Sequence, residues 1–193
     1  MSIQPTTSSP PLEGQALNRF VQQWLADVLA GSLDQALIRP WTQGEPPLIP
    51  ADGVAWMAFR QTIGDSDTFA YVKAKDDGTG SVMNRQERID VLCSFYDLGT
   101  NGLAQGLASL LRDNLSISDN LETLFPDFGM EGCGDPVTIP SLLKERWLYR
   151  VDLPFRLTRS VTRTYGVPNI TSANGTLNND VGAPAVAIDT ENT

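Results

Sequence analysis

The chain has 193 residues, 41% of them hydrophobic and 19% charged, with a formal net charge of -9 and a pI of about 4.4. That balance excludes tight nucleic-acid binding by the free chain, which needs clustered Lys and Arg, and it offers little attraction to anionic membranes. The sequence contains no histidine, which removes Ser-His-Asp and Cys-His nucleophile systems, His general bases and His metal sites together.

The length suggests one domain with polar ends. For a chain of 21.0 kDa, folding hides roughly 70% of the unfolded surface, enough for a real core. The expected organisation is an N-terminal arm at 1–12, an α/β domain at 13–164 and an extended C-terminal arm at 165–193. The two cysteines, Cys93 and Cys133, read as free thiols in a reducing compartment. The N-terminus is polar and Pro-rich, so no signal peptide is expected. No apolar run reaches the length of a membrane helix. Asn114, Asn169 and Asn174 head Asn-x-Ser/Thr triplets, read as chance matches without a secretion signal.

In chain order, Leu17, Phe20, Val21, Trp24, Leu25, Val28 and Leu29 recur at helical spacing. They predict an amphipathic helix closed by Gly31-Ser32. Ala36 to Thr42 reads as a short strand broken by Pro40, hence an edge or a bulge. The stretch from Gln43 to Asp52 is a Pro-rich surface loop. Val54–Ile63 and Ala70–Lys75 read as strands, with Asp76-Asp77-Gly78-Thr79-Gly80 as a hairpin tip. From Arg85 to Tyr96 the chain alternates. Glu87, Ile89, Val91, Cys93 and Phe95 fall on one side, and Arg88, Asp90, Leu92, Ser94 and Tyr96 on the other, the pattern of a strand with one buried face. A three-strand meander is the simplest arrangement. The turn at 97–101 then leads into a helix carrying Leu103, Leu107, Leu110 and Leu111, with Ala104 and Ala108 beside them.

Ser118-Asp119-Asn120 can cap a short helical segment that Pro126 stops. A loop with Gly129, Gly132 and Gly134 leads to an extended piece at 136–140. The longest strand follows, with Trp147, Tyr149, Val151, Leu153, Phe155 and Leu157 on one face and Leu148, Arg150, Asp152, Pro154, Arg156 and Thr158 on the other. Beyond Tyr165 the chain is rich in Gly, Asn, Thr and Ala. It reads as a disordered tail or as an arm that orders on a neighbour.

No catalytic, cofactor-binding or metal-binding residues stand out. Gly78 and Gly80 lack the other glycines of a phosphate loop. Asp65 and Asp67 resemble the start of a calcium loop, but its later ligands are missing.

The order of elements resembles the phage tail and neck terminator family. The residues that carry the likeness are Ile38-Arg39-Pro40-Trp41-Thr42-Gln43 with Pro46-Pro47, then Arg85-Gln86-Glu87-Arg88-Ile89-Asp90-Val91 and Tyr96. The helix Leu103 to Leu111 and the run Glu145-Arg146-Trp147-x-Tyr149-Arg150-Val151-Asp152-Leu153 complete them. The similarity spans roughly residues 14–160, and each motif alone is unspecific. The resemblance implies an α+β fold like that of lambda-type terminators, an antiparallel or mixed sheet flanked by helices. It also implies a structural virion protein, not an enzyme, assembled in the host cytoplasm. Such a protein forms a ring, typically of six copies, that caps the tail tube and joins the head connector while the genome DNA passes through. The implied partners are the tail tube protein, a head-completion or connector protein, and the sheath as a further candidate. No cofactor and no membrane are implied. The long arms depart from the family pattern. A different head- or tail-completion protein and a non-viral soluble binding module stand as alternatives. In a ring, Arg85, Arg88, Asp90, Arg150, Asp152 and Arg156 are the candidates for charge pairing across a repeated head-to-tail contact.

Overall fold

The computed structural model describes residues 12–29, 31–41, 50, 54–65, 71–74, 80–97, 102–122, 124, 127–143, 146–166, 172–177 and 186–191. The expected hairpin tip at 76–79, most of the Pro-rich loop at 43–52 and the turn at 98–101 lie outside these residues.

Helix α1 runs Gly14–Leu29 and buries Leu17, Val21, Trp24, Leu25, Val28 and Leu29, most of the stripe read from the sequence. Past its end, Gly31 takes a positive φ of 80°, the left-handed conformation in which glycine carries no Cβ penalty. A 3-10 turn at Gln35–Leu37 leads into β1, Ile38–Pro40. The expected strand is therefore shorter, because Ala36 and Leu37 are spent on the turn. Strand β1 pairs in parallel with β2, Trp56–Asp65.

Strand β3 is Tyr71–Ala74 and β4 is Ser81–Asp97. The meander is not what forms. Strand β2 pairs antiparallel with β4 itself, from Trp56 opposite Tyr96 to Asp65 opposite Glu87. Strand β3 pairs only with the start of β4, Tyr71 opposite Asn84 to Ala74 opposite Ser81. At 17 residues, β4 is long enough to take both partners in succession.

Helix α2 is Leu103–Asn114 and α3 is Ser118–Glu122. Ala104, Ala108 and Leu111 form the buried face of α2, while Leu103 is exposed. The close approach of α2 to its neighbours selects alanine, so Ala104 and Ala108 share the core side with Leu111, and Leu107 and Leu110 pack partly buried against it. Asn114 Nδ2 donates to Val28 O at 2.7 Å and Asn120 Nδ2 donates to Asn114 O at 2.9 Å. These bonds occupy carbonyls that helix ends leave without intrahelical donors.

Strands β5, Phe128–Cys133, β6, Val137–Leu143, and β7, Arg146–Tyr165, complete the main sheet. The glycine run read as a loop is largely β5. It pairs with β7 from Phe128 opposite Arg159 to Cys133 opposite Phe155, with an irregularity between Met130 and Gly132. A Cβ on Gly134 would come within 2.9 Å of Pro154 Cγ, so glycine there permits the close approach to β7. Along β7, Val151, Leu153, Phe155 and Leu157 are buried as expected, but Tyr149 is exposed and Leu148 and Asp152 are buried on the other face.

The sheet order is β1-β2-β4-β7-β5, with β3 on β4 and β6 on β7. It is a mixed sheet flanked by helices, an α+β fold. A separate two-stranded sheet pairs β8, Ser172–Leu177, with β9, Val186–Glu191. By contacts the chain divides into two compact units, one within 11–68 and 86–161, the other drawing on 69–85 and 162–193. The larger unit holds the core in which α1 and α2 meet the inner face of the sheet. There Phe20 stacks on Phe128 at 4.8 Å and Trp24 meets Phe155 edge-on at 5.8 Å.

Candidate interface on the outer sheet face

The pleat decides where the charges go. In β4 the odd positions from Ile89 to Phe95 are buried against the helices, so Arg88, Asp90 and Leu92 fall on the opposite face. The pairing of β2 with β4 sets Arg60 opposite Leu92 and Thr62 opposite Asp90. Strand β7 adds Arg156, and β5 adds Glu131 at its irregular position.

These residues make one network. Arg88 forms a two-pronged pair with Glu131, Nε to Oε2 and Nη2 to Oε1, both at 3.0 Å. Arg156 Nε donates to Asp90 Oδ1 at 2.7 Å, and its Nη1 reaches Glu131 Oε1 at 3.4 Å. Glu131 thus bridges the two arginines. The Asp90 carboxylate, then its charge, raises the Arg156 pKa. Beside the network a concavity of about 530 Å3 is lined by Arg60, Thr62, Glu131, Cys133 and Pro154 among others. All four paired side chains are at least a third exposed, so water screens each pair and none adds much to folding.

A second cluster lies further along the same face. Trp56 stacks on Tyr96 at 4.2 Å and 11°, with Ala58 and Leu148 around them. Arg150 sits 5.9 Å over the Tyr96 ring and holds Asp152 through Nε and Nη2 at 2.6 and 2.5 Å. Burial raises the Tyr96 pKa, and the hydrogen bond that Arg150 donates to Asp152 raises that of Arg150.

Of the six residues singled out in sequence, Arg88, Asp90 and Arg156 are brought together. Arg150 and Asp152 form their own pair, with Asp152 buried. Arg85 belongs to the other unit, where it is half-buried and already engaged. Sequence reasoning missed Glu131 because it sits in the glycine run read as loop. It also missed Arg159, whose Nε donates to Glu87 Oε2 at 2.8 Å, both residues being buried. A signal was present: Glu87 and Arg159 both fall at core parity of their strands, and two buried opposite charges call for one another.

Chemically the face offers fixed ionic hydrogen bonds around an open concavity. Burial pushes the Cys93 thiol far up, and it pushes that of Cys133 up as well. Among the described residues no group of His, Cys, Asp and Glu could hold a metal ion. No described helix is long and apolar enough to cross a membrane.

A search of curated proteins finds no match to this sequence. The family model described as phage neck terminator protein matches residues 15–180, which take in α1, the whole main sheet and β8, and the chain therefore belongs to the phage neck terminator family of structural virion proteins.

Proposed function

We propose that the protein assembles as a ring of six copies that caps the tail tube and joins it to the head connector, with the genome passing through the opening. The observation that carries this reading is the neck terminator match over residues 15–180. The fold is consistent with it. The main sheet has two different edges, β1 at one side and β5 followed by β6 at the other, and a closed head-to-tail ring uses two unlike surfaces of each subunit. The net charge of -9 suits a channel that lets DNA slide without holding it. In this reading the tail tube and a connector protein are the partners, assembly takes place in the host cytoplasm, and the protein performs no catalysis. The outer-face network of Arg88, Glu131, Arg156 and Asp90 lies at the contact between copies. Residues 165–193 act as an arm laid over a neighbour. Negative-stain electron microscopy of the purified protein tests the assembly. Rings with a central hole are expected, and particles that stay single at every concentration overturn it.

A further inference from the structure

The outer-face concavity is only partly matched by the residues around it. Helices α1 and α2 pack on the inner face of the sheet, whereas Arg60, Thr62, Cys133 and Pro154 stand exposed around the hollow on the outer one. Of the two arginines that line it, Arg156 is held by Asp90 and Glu131. Arg60 pairs with no carboxylate among the described residues. Leu92, across the β2–β4 ladder from Arg60, and Pro154 give the hollow an apolar side. At about 530 Å3 it has room for several side chains, and its lining fits an apolar group accompanied by a carboxylate.

The corner between α2 and α3 carries that combination. Ile117 is 48% exposed there, with the exposed carboxylates of Asp113 and Asp119 before and after it. Backbone bonds fix the corner: Ile117 N donates to Asn114 O and Asn120 N to Ile117 O, both at 3.2 Å, and Ser116 N donates to Asp113 O at 3.0 Å. A preformed corner loses little conformational freedom on docking. The nearby cation, Arg112, is held by Asp135 at 2.7 Å, and neither Asp113 nor Asp119 pairs with a cation among the described residues. Ile117 and Arg60 both remain exposed, so corner and hollow do not fill each other within one subunit.

We infer that the α2–α3 corner of one copy seats in the outer-face concavity of a second copy, with Ile117 against Leu92 and Pro154 and Asp119 on Arg60. The inference rests on the ring reading, in which the outer face lies between copies, and names what that face meets. Corner and hollow are unlike surfaces, so the contact is heterologous. Each copy gives one and receives one, as a closed ring requires.

The test uses the full chain and its exposed thiol, Cys133, since Cys93 is buried. One preparation keeps Cys133. A second, made longer by a tag, carries Cys133→Ser with Ser118→Cys. They are mixed dilute, concentrated and treated with a short thiol cross-linker. The expected product on a denaturing gel is a dimer of one tagged and one untagged chain. In parallel, Arg60→Glu should raise the concentration needed for assembly about tenfold or more, and adding Asp119→Arg to the same chain should restore it. Dimers of like chains alone overturn the inference, as does a double variant that assembles no better than Arg60→Glu. No mixed dimer from parent protein that forms rings by microscopy also overturns it and leaves the ring reading intact. A mixed dimer from protein that never forms rings keeps the docking and overturns the ring. Neither rings nor mixed dimers overturn both.

Discussion

Arg159 and Glu87 form an ion pair inside the protein, each side chain only 4% exposed, with Nη2 and Oε2 2.7 Å apart. Arg159 also donates through Nη1 to Leu12 O, just before α1, and lies 5.9 Å over the Phe128 ring. The pair therefore ties β4, β7, β5 and the entry to α1 together. Burying two charges costs several kcal/mol each, and their attraction offsets this only while both are present. Glu87→Leu alone strands a buried guanidinium, so it should cost about 3–5 kcal/mol. Glu87→Leu with Arg159→Leu should recover most of that loss. Urea denaturation of the two single variants and the double variant measures the coupling, and a double variant as unstable as the worse single one would contradict this account.

Trp24 bears on the same core from the helical side. It is buried on α1, meets Phe155 edge-on and donates from Nε1 to Asn120 O at 3.2 Å. Trp24→Ala should cost about 3–5 kcal/mol through the cavity it opens. Trp24→Phe retains ring packing and loses the hydrogen bond to α3, so it should cost less. Thermal melts followed by circular dichroism report both.

How much of this was legible depended on how local the signal was. The α1 stripe and the parity of β4 are short-range patterns, and both read correctly, down to Glu87 on the core side. The direct pairing of β2 with β4 joins residues separated by the whole of β3, and no local period encodes that choice. Strand β5 hid behind Gly129 and Gly132, whose lack of side chains erases the period-two signal. Glu131, the bridge of the outer-face network, was lost with it. In α2 the leucines and alanines that the spacing singles out do share the core side, with Ala104, Ala108 and Leu111 buried, and only Leu103, in the first turn, is exposed. For the site, parity alone put Arg88, Asp90 and Arg156 on one face. It could not show that Arg88 and Asp90 meet their partners on β5 and β7 of the same subunit.

Cys93 gives a pH signature. Burial raises its pKa well above the ordinary 9.0. The unfolded thiol therefore loses its proton first as pH rises. The folded state then binds the extra proton, and stability falls above pH 9, at about 1.4 kcal/mol per pH unit for this one group. Cys93→Ala removes that contribution, so the difference in unfolding free energy between parent and variant should shrink as pH rises from 8 to 10. In parallel, a thiol reagent at pH 8 should titrate the exposed Cys133 quickly, and Cys93 only after denaturation.

The outer-face charges give the sharpest probe of assembly, provided the right arginine is chosen. Arg150 is a poor choice. Its partner Asp152 is only 8% exposed at the side chain, so Arg150→Glu sets a second carboxylate against a buried one and damages the fold itself. Arg88 is better: its side chain is 40% exposed and its partner Glu131 keeps a second arginine, Arg156, at 3.4 Å. Arg88→Glu should therefore change subunit stability by no more than about 1 kcal/mol. If the outer face lies between copies, the same reversal is repeated at every joint of the ring and weakens assembly at each one. The variant should keep its melting temperature while sedimentation shows its assembly shifted to higher concentration. Salt supplies the control, because exposed charges are screened over about 8–10 Å at physiological ionic strength. The gap between parent and variant should narrow as salt rises. A variant that assembles like the parent at low salt would take this face out of the contact.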